Sequence, residues 1–167
     1  MTGIVTLPEI AARVAEILPE LGGRSVAVSE AEINSSNTPK LPIAMVALVG
    51  VSANDSGYAN GTTSEVKVTE DFVIEILLTP ERRKTKDGGE TPFWSFYDYR
   101  TYMNLVVTGL KDWRPSAFEF VTLDLSADAF AVALTFRFRQ HYIWCPEPID
   151  EDPLILGPDT LTWGTCG

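Results

Sequence analysis

A chain of 167 residues, 45% of them hydrophobic, fits one domain and can bury a core without disulfide or metal staples. Its 23 acidic residues against 13 Lys and Arg give a net charge of −10, which argues against general affinity for nucleic acid or anionic membranes, because the average surface repels both. Five of the acids, Glu147, Asp150, Glu151, Asp152 and Asp159, follow Trp144, and no Lys or Arg accompanies them.

The opening stretch, MTGIVTLPEIAARVAEILPEL, has no basic n-region and no cleavage-like site, so it predicts neither a signal peptide nor a membrane span, and folding in the cytosol is expected. Thr6-Leu7-Pro8-Glu9 predicts a helix start: Thr6 caps, Pro8 suits the first turn, and Glu9 completes a capping box. Leu7, Ile10, Ala11, Val14, Ile17 and Leu18 form one apolar face, and Pro19 with Gly22-Gly23 ends the helix. Arg24 to Glu30 reads as a short strand, and Ile43 to Val51 as a second whose two apolar faces place it centrally or under cover. After the turn-rich loop Asn54 to Ser64, Val66 to Leu78 alternates as a long strand. Glu70 falls on its apolar side, which predicts a bulge there or a face buried only beyond that point. Pro80 to Pro92, with Gly88-Gly89 and mixed charges, predicts a mobile loop.

Thr91-Pro92 signals a second helix, with Phe93, Phe96, Tyr97, Met103, Val106, Val107 and Leu110 on one face and the stem of Arg100 snorkelling beside them. The helix should stop before Trp113-Arg114-Pro115. Most of its aromatics read as core, with Trp94 and Tyr99 as boundary residues, rather than as a base-stacking platform, since Asp98 stands among them without interleaved cations. Phe118 to Leu125 predicts a strand, Ser126-Ala127-Asp128 a turn, and Ala129 to Trp144 a further strand. Phe130, Val132, Leu134, Phe136 and Phe138 alternate there with Ala129, Ala131, Ala133, Thr135, Arg137, Arg139 and His141. Such a strand reaches roughly 50 Å, against roughly 40 Å for a compact globule of this length. Its end should therefore overhang, making Arg137, Arg139, His141, Tyr142 and Trp144 a candidate subunit interface.

The order α-β-β-β-α-β-β predicts an α+β fold: one mostly antiparallel sheet with two main helices packed on it, over residues 1–144. Residues 145–167, acidic and with Pro146, Pro148, Pro153 and Pro158, are expected to run as an extended tail. Cys145 and Cys166 are expected as reduced thiols, although a bridge between them is possible. His141 is the sole histidine and lies about 13 Å from Cys145 in an extended chain, so no zinc-ligand pair forms. No GxSxG elbow is present, and Gly57 to Gly61 lacks the lysine and helix of a phosphate loop. No enzyme, metal or cofactor is expected. Arg82, Arg83, Lys84 and Lys86 are the only basic cluster, diluted by Glu81, Asp87 and Glu90. They read either as a basic loop facing a partner or as a solvated loop that keeps the chain soluble.

The helix LPEIAARVAEILPEL, the strand VTEDFVIEILL, the aromatic segment FWSFYDYRTYMNLVVTGL after a charged loop, and the closing ALTFRFRQHY together resemble the tail terminator (tail completion) proteins of long-tailed bacteriophages, over about residues 5–144. The resemblance implies a virion protein folded in the host cytoplasm that forms a homo-oligomeric ring, with six subunits expected. That ring would cap the tail tube protein, stop tube growth and present a face to the head-tail connector protein, while DNA passes through the lumen without sequence-specific binding. Arg82, Arg83, Lys84 and Lys86 would then face the lumen or a partner. Alternatives are another neck or head-completion ring protein, a small-molecule-binding or enzymatic α+β domain with a pocket near His141 and Asp98, and an adaptor that binds by strand addition.

Overall fold

The computed structural model describes residues 4–28, 40–55, 66–93, 98–128 and 130–144. In chain order these form α1 (Leu7–Ile17), a 3-10 turn (Pro19–Leu21), β1 (Ser25–Ala27), β2 (Ile43–Asp55), β3 (Val66–Leu78), β4 (Glu81–Lys84), β5 (Glu90–Phe93), α2 (Asp98–Trp113), β6 (Phe118–Ala127) and β7 (Val132–Trp144). The main sheet has five strands in the order β1-β2-β3-β7-β6, antiparallel except for the parallel β1–β2 pair. This is the expected α+β architecture.

Both helices lie on one face of the sheet, and the residue alternation explains why. Ala44 and Val46 of β2, Phe72, Ile74 and Ile76 of β3, and Leu134, Phe136 and Phe138 of β7 share that face and are buried against Ile10, Ala11, Val14, Val106 and Leu110. Phe72 stacks on Phe138 and meets Phe118 edge-on, each at 5.6 Å between ring centres. Burial of each such ring contributes about 1.5–3 kcal/mol. The start of α1 is held as its sequence predicts: the Thr6 amide and hydroxyl both donate to Glu9 Oε2, each at 2.8 Å. The two helices touch at Gly109, where an added Cβ would lie 2.6 Å from Ile17 Cδ1.

Three expectations change. Pro80 to Pro92 is a hairpin rather than a loop: β4 pairs with β5 from Glu81↔Phe93 to Lys84↔Glu90. The turn closes through the Thr85 amide donating to the Gly89 carbonyl at 2.7 Å and the Gly88 amide donating to the Thr85 carbonyl at 3.0 Å. Phe93 therefore belongs to a strand, and α2 starts at Asp98; the expected helical positions Trp94, Phe96 and Tyr97 lie outside the described residues. Lastly, β7 does not overhang alone, because β3 pairs with it from Leu78↔Val132 to Val66↔Trp144. The distal half of β2 runs alongside, out to Asp55↔Val66. The sheet thus continues past the end of β6, which stops at Phe118↔Gln140, as a three-stranded arm.

The bulges also fall elsewhere. β2 carries one between Leu48 and Gly50, and β6 one between Phe120 and Thr122, whereas Glu70 stays in register opposite Gln140. Among the described residues, no helix is long and apolar enough to cross a membrane.

Candidate interaction surfaces of the sheet

The face turned away from the helices carries the charge. Asp71, Arg139 and Glu119 stand side by side across β3, β7 and β6, as do Val73, Arg137 and Thr122 one step along. Arg139 Nε donates to Asp71 Oδ1 at 2.7 Å, and the same guanidinium reaches Asp71 Oδ2 at 3.5 Å. The hydrogen bond and charge of Asp71 hold this guanidinium above its ordinary pKa. Arg137 Nε lies 3.6 Å from Asp124 Oδ2, and His141 Nε2 lies 3.5 Å from Glu119 Oε2. Thr69 Oγ1 is 2.9 Å from His141 Nδ1, so the tautomer with its proton on Nε2 suits both neighbours. At the centre of this face, burial beside Met45 and Thr135 pushes the Glu75 carboxyl up. The face is therefore a mixed ladder of cations and carboxylates rather than a basic patch.

Tyr142 and Trp144 share the strand with these cations but point to the opposite face, the one on which the helices lie. There Glu70 resolves the anomaly it posed in the sequence. Its carboxylate accepts from Tyr142 Oη at 2.9 Å through Oε1 and from Gln140 Nε2 at 2.5 Å through Oε2, and Gln140 also donates to the Val5 carbonyl at 3.2 Å. Gln140, only 5% exposed, ties the segment before α1 to the root of the arm. Burial, followed by the hydrogen bond and charge of Glu70, pushes the Tyr142 phenol up to about 12. The five candidate interface residues thus divide between two faces, and Tyr142 and Trp144 are half-buried within their own domain. Gln140 was missed because a lone glutamine on an alternating strand carries no motif; its position opposite Glu70 was the only available signal.

Of the basic cluster, Lys84 and Lys86 are exposed, and the hairpin that bears them makes no extended contact with any other described helix or strand. Arg82 and Arg83 sit at register positions opposite Pro92 and Thr91. The four cations therefore belong to a self-paired hairpin separate from the main sheet.

Hollows among the described residues include two on opposite faces of the sheet. One, of about 470 Å³, lies between α2 and the sheet and is lined by Tyr99, Tyr102, Leu105, Leu78, Val132 and Pro42, among others. The other, of about 440 Å³, surrounds Lys67, Thr69, His141 and Ile143 near the far end of the sheet. They correct the expectation of one pocket near both His141 and Asp98, since His141 lies on the face away from α2. Among the described residues, no group of three or more His, Cys, Asp or Glu could hold a metal ion. Cys145, Cys166 and the five acids of the tail lie outside the described residues.

The turn between β6 and β7 is another feature that strand alternation misassigns. Asp128 Oδ1 accepts from the amides of Phe130 at 2.7 Å and Ala131 at 2.8 Å, which folds the chain out of the strand. Phe130, expected on the core face, is instead 81% exposed. The sequence matches no known family model, and no curated protein is significantly similar to it.

Proposed function

We propose that this chain is a structural subunit of the head-proximal end of a phage tail, assembling into a ring that caps the tail tube and offers its other face to the connector. The observation that carries this reading is the division of the sheet. One face is closed by two helices, while the other presents an ion-paired ladder, and three strands run together past the edge strand β6. A mixed charged face supports specific, reversible docking better than it supports burial, because its own pairs offset the charge and leave donors and acceptors at the surface. The exposed turn at Phe130 and the separate hairpin β4–β5 add further candidate contact points outside the core. Such a subunit acts geometrically: its ring matches the growing end of the tube on one side and recruits no further tube subunit on the other.

Native mass spectrometry of the purified chain, followed by electron microscopy of tube subunits polymerising with and without it, tests the reading. A discrete ring that shortens or stops tubes is the expected result. A chain that stays monomeric at high concentration and leaves tube length unchanged refutes it.

The groove beside Tyr99 and Tyr102 favours a second reading, a small-molecule-binding α+β domain. A metabolite screen read by thermal shift separates the two, since a specific ligand would raise the melting temperature by several degrees.

A further inference from the structure

The β4–β5 hairpin leaves the sheet at the Leu78 end of β3, whereas the acidic tail leaves it at the Trp144 end of β7. The register sets these ends far apart. Leu78 pairs with Val132 and Val66 with Trp144, so the twelve intervening steps of β7 span about 40 Å. Glu147, Asp150, Glu151 and Asp152 lie within eight residues of Trp144 and reach at most about 29 Å when fully extended. These four acids therefore fall about 10 Å short of the root of their own hairpin. The hairpin makes no extended contact with the sheet along which it would have to fold back.

We propose that the basic hairpin of one subunit binds the acidic tail of a second copy of this chain. The inference deepens the ring reading and rests on it, since it names the link between neighbours. Charge selects the occupant: Arg82, Arg83, Lys84 and Lys86 outnumber Glu81, Asp87 and Glu90 in a chain otherwise in acidic excess, and residues 145–167 carry five acids and no Lys or Arg. Single exposed pairs of this kind are weak and screened by salt. A closed ring repeats the contact at every subunit and raises its effective concentration.

A charge-swap experiment on the full chain tests this. One variant carries Arg82→Glu, Arg83→Glu, Lys84→Glu and Lys86→Glu; the other carries Glu147→Lys, Asp150→Lys, Glu151→Lys and Asp152→Lys. Circular dichroism checks that both fold, and native mass spectrometry and sedimentation read association at low salt. Each variant alone should associate about tenfold more weakly than wild type, and an equimolar mixture should recover mixed rings, because each then meets a complementary partner. A mixture that stays dissociated overturns the contact between copies. A wild-type ring indifferent to both sets of changes also overturns it and leaves the ring reading standing, whereas a wild-type chain that never associates removes both. Loss of DNA retention in the hairpin variant, with association unchanged, assigns the hairpin to nucleic acid and refutes the proposal.

Discussion

Arg139 is held by Asp71, across one rung of the β3–β7 ladder, through a 2.7 Å bond from Nε to Oδ1. Both side chains are over a third exposed, so the pair is screened by solvent and adds little to folding. Glu119, the other cross-strand neighbour of Arg139, remains when Asp71 is removed. Asp71→Ala should therefore shift the denaturation midpoint only slightly in low salt and not measurably in high salt. A large shift that persists in high salt would show that Asp71 does more than balance a surface cation.

On the opposite face, Tyr142 makes a sharper prediction. Its folded pKa, about 12, lies above the ordinary value of 10.0, so the folded state keeps a proton that the unfolded state loses. Its contribution is complete below pH 10 and fades as the pH rises from about 10 to about 12. Absorbance titration should show a tyrosine with a midpoint near 12 that disappears in Tyr142→Phe. In Glu70→Gln the midpoint should fall but stay above 10.0, because burial, the largest single cause, remains.

Those two residues also show where the sequence was readable. The bounds of β3 follow from alternation alone, since Val68, Phe72, Ile74 and Ile76 need one buried face and the strand supplies it. Glu70 broke that pattern, and only its partners Gln140 and Tyr142, some seventy residues on, explain why a carboxylate belongs there. The hairpin β4–β5 was illegible for a related reason: ERRK and ETPF have no apolar face, and their pairing rests on a closed turn. Charged side chains were legible as a set but not as pairs. Alternation puts Arg137, Arg139 and His141 on one face, yet it cannot say that Asp124, Asp71 and Glu119 stand opposite.

The acid end of the stability profile is set in part by two turns. Hydrogen bonds from Thr6, its backbone amide first, hold the Glu9 carboxyl below the ordinary carboxylate range. The amides of Ala131 and Phe130 do the same for Asp128. Groups whose folded pKa is lowered stabilise the protein above their unfolded values, here 4.5 and 3.8, and lose that contribution as the pH falls through the folded ones. Glu9→Gln and Asp128→Asn should each flatten the loss of stability below about pH 4.5, as measured by urea unfolding across pH. Neither change should alter the alkaline limb, where Tyr142 acts.

Where α1 crosses α2, helix propensity and packing oppose each other. Gly109→Ala gains about 1 kcal/mol of helix propensity. The new Cβ would sit 2.6 Å from Ile17 Cδ1 and 2.7 Å from Cγ1, and such overpacking costs about 1–3 kcal/mol. Packing should win, so Gly109→Ala lowers the melting temperature. In an Ile17→Ala background the obstruction is gone and the same change should become stabilising. A double-mutant cycle measures the reversal, and additive effects would sink the argument.

Phe130 separates folding from assembly most cleanly. With 81% of its surface exposed, it contributes almost nothing to the core, so Phe130→Ser should leave stability within about 0.5 kcal/mol of wild type. Asp128 nevertheless fixes the backbone of the turn through two short bonds to the Phe130 and Ala131 amides, which lowers the backbone entropy lost when a partner covers it. Under the proposed assembly, an aromatic presented at a turn is a candidate contact anchor. Phe130→Ser should therefore weaken self-association in sedimentation experiments, and Asp128→Ala should weaken it in the same direction by loosening the turn. If both variants assemble like wild type, the turn lies outside any contact between copies, and its fixed geometry serves only the β6–β7 connection.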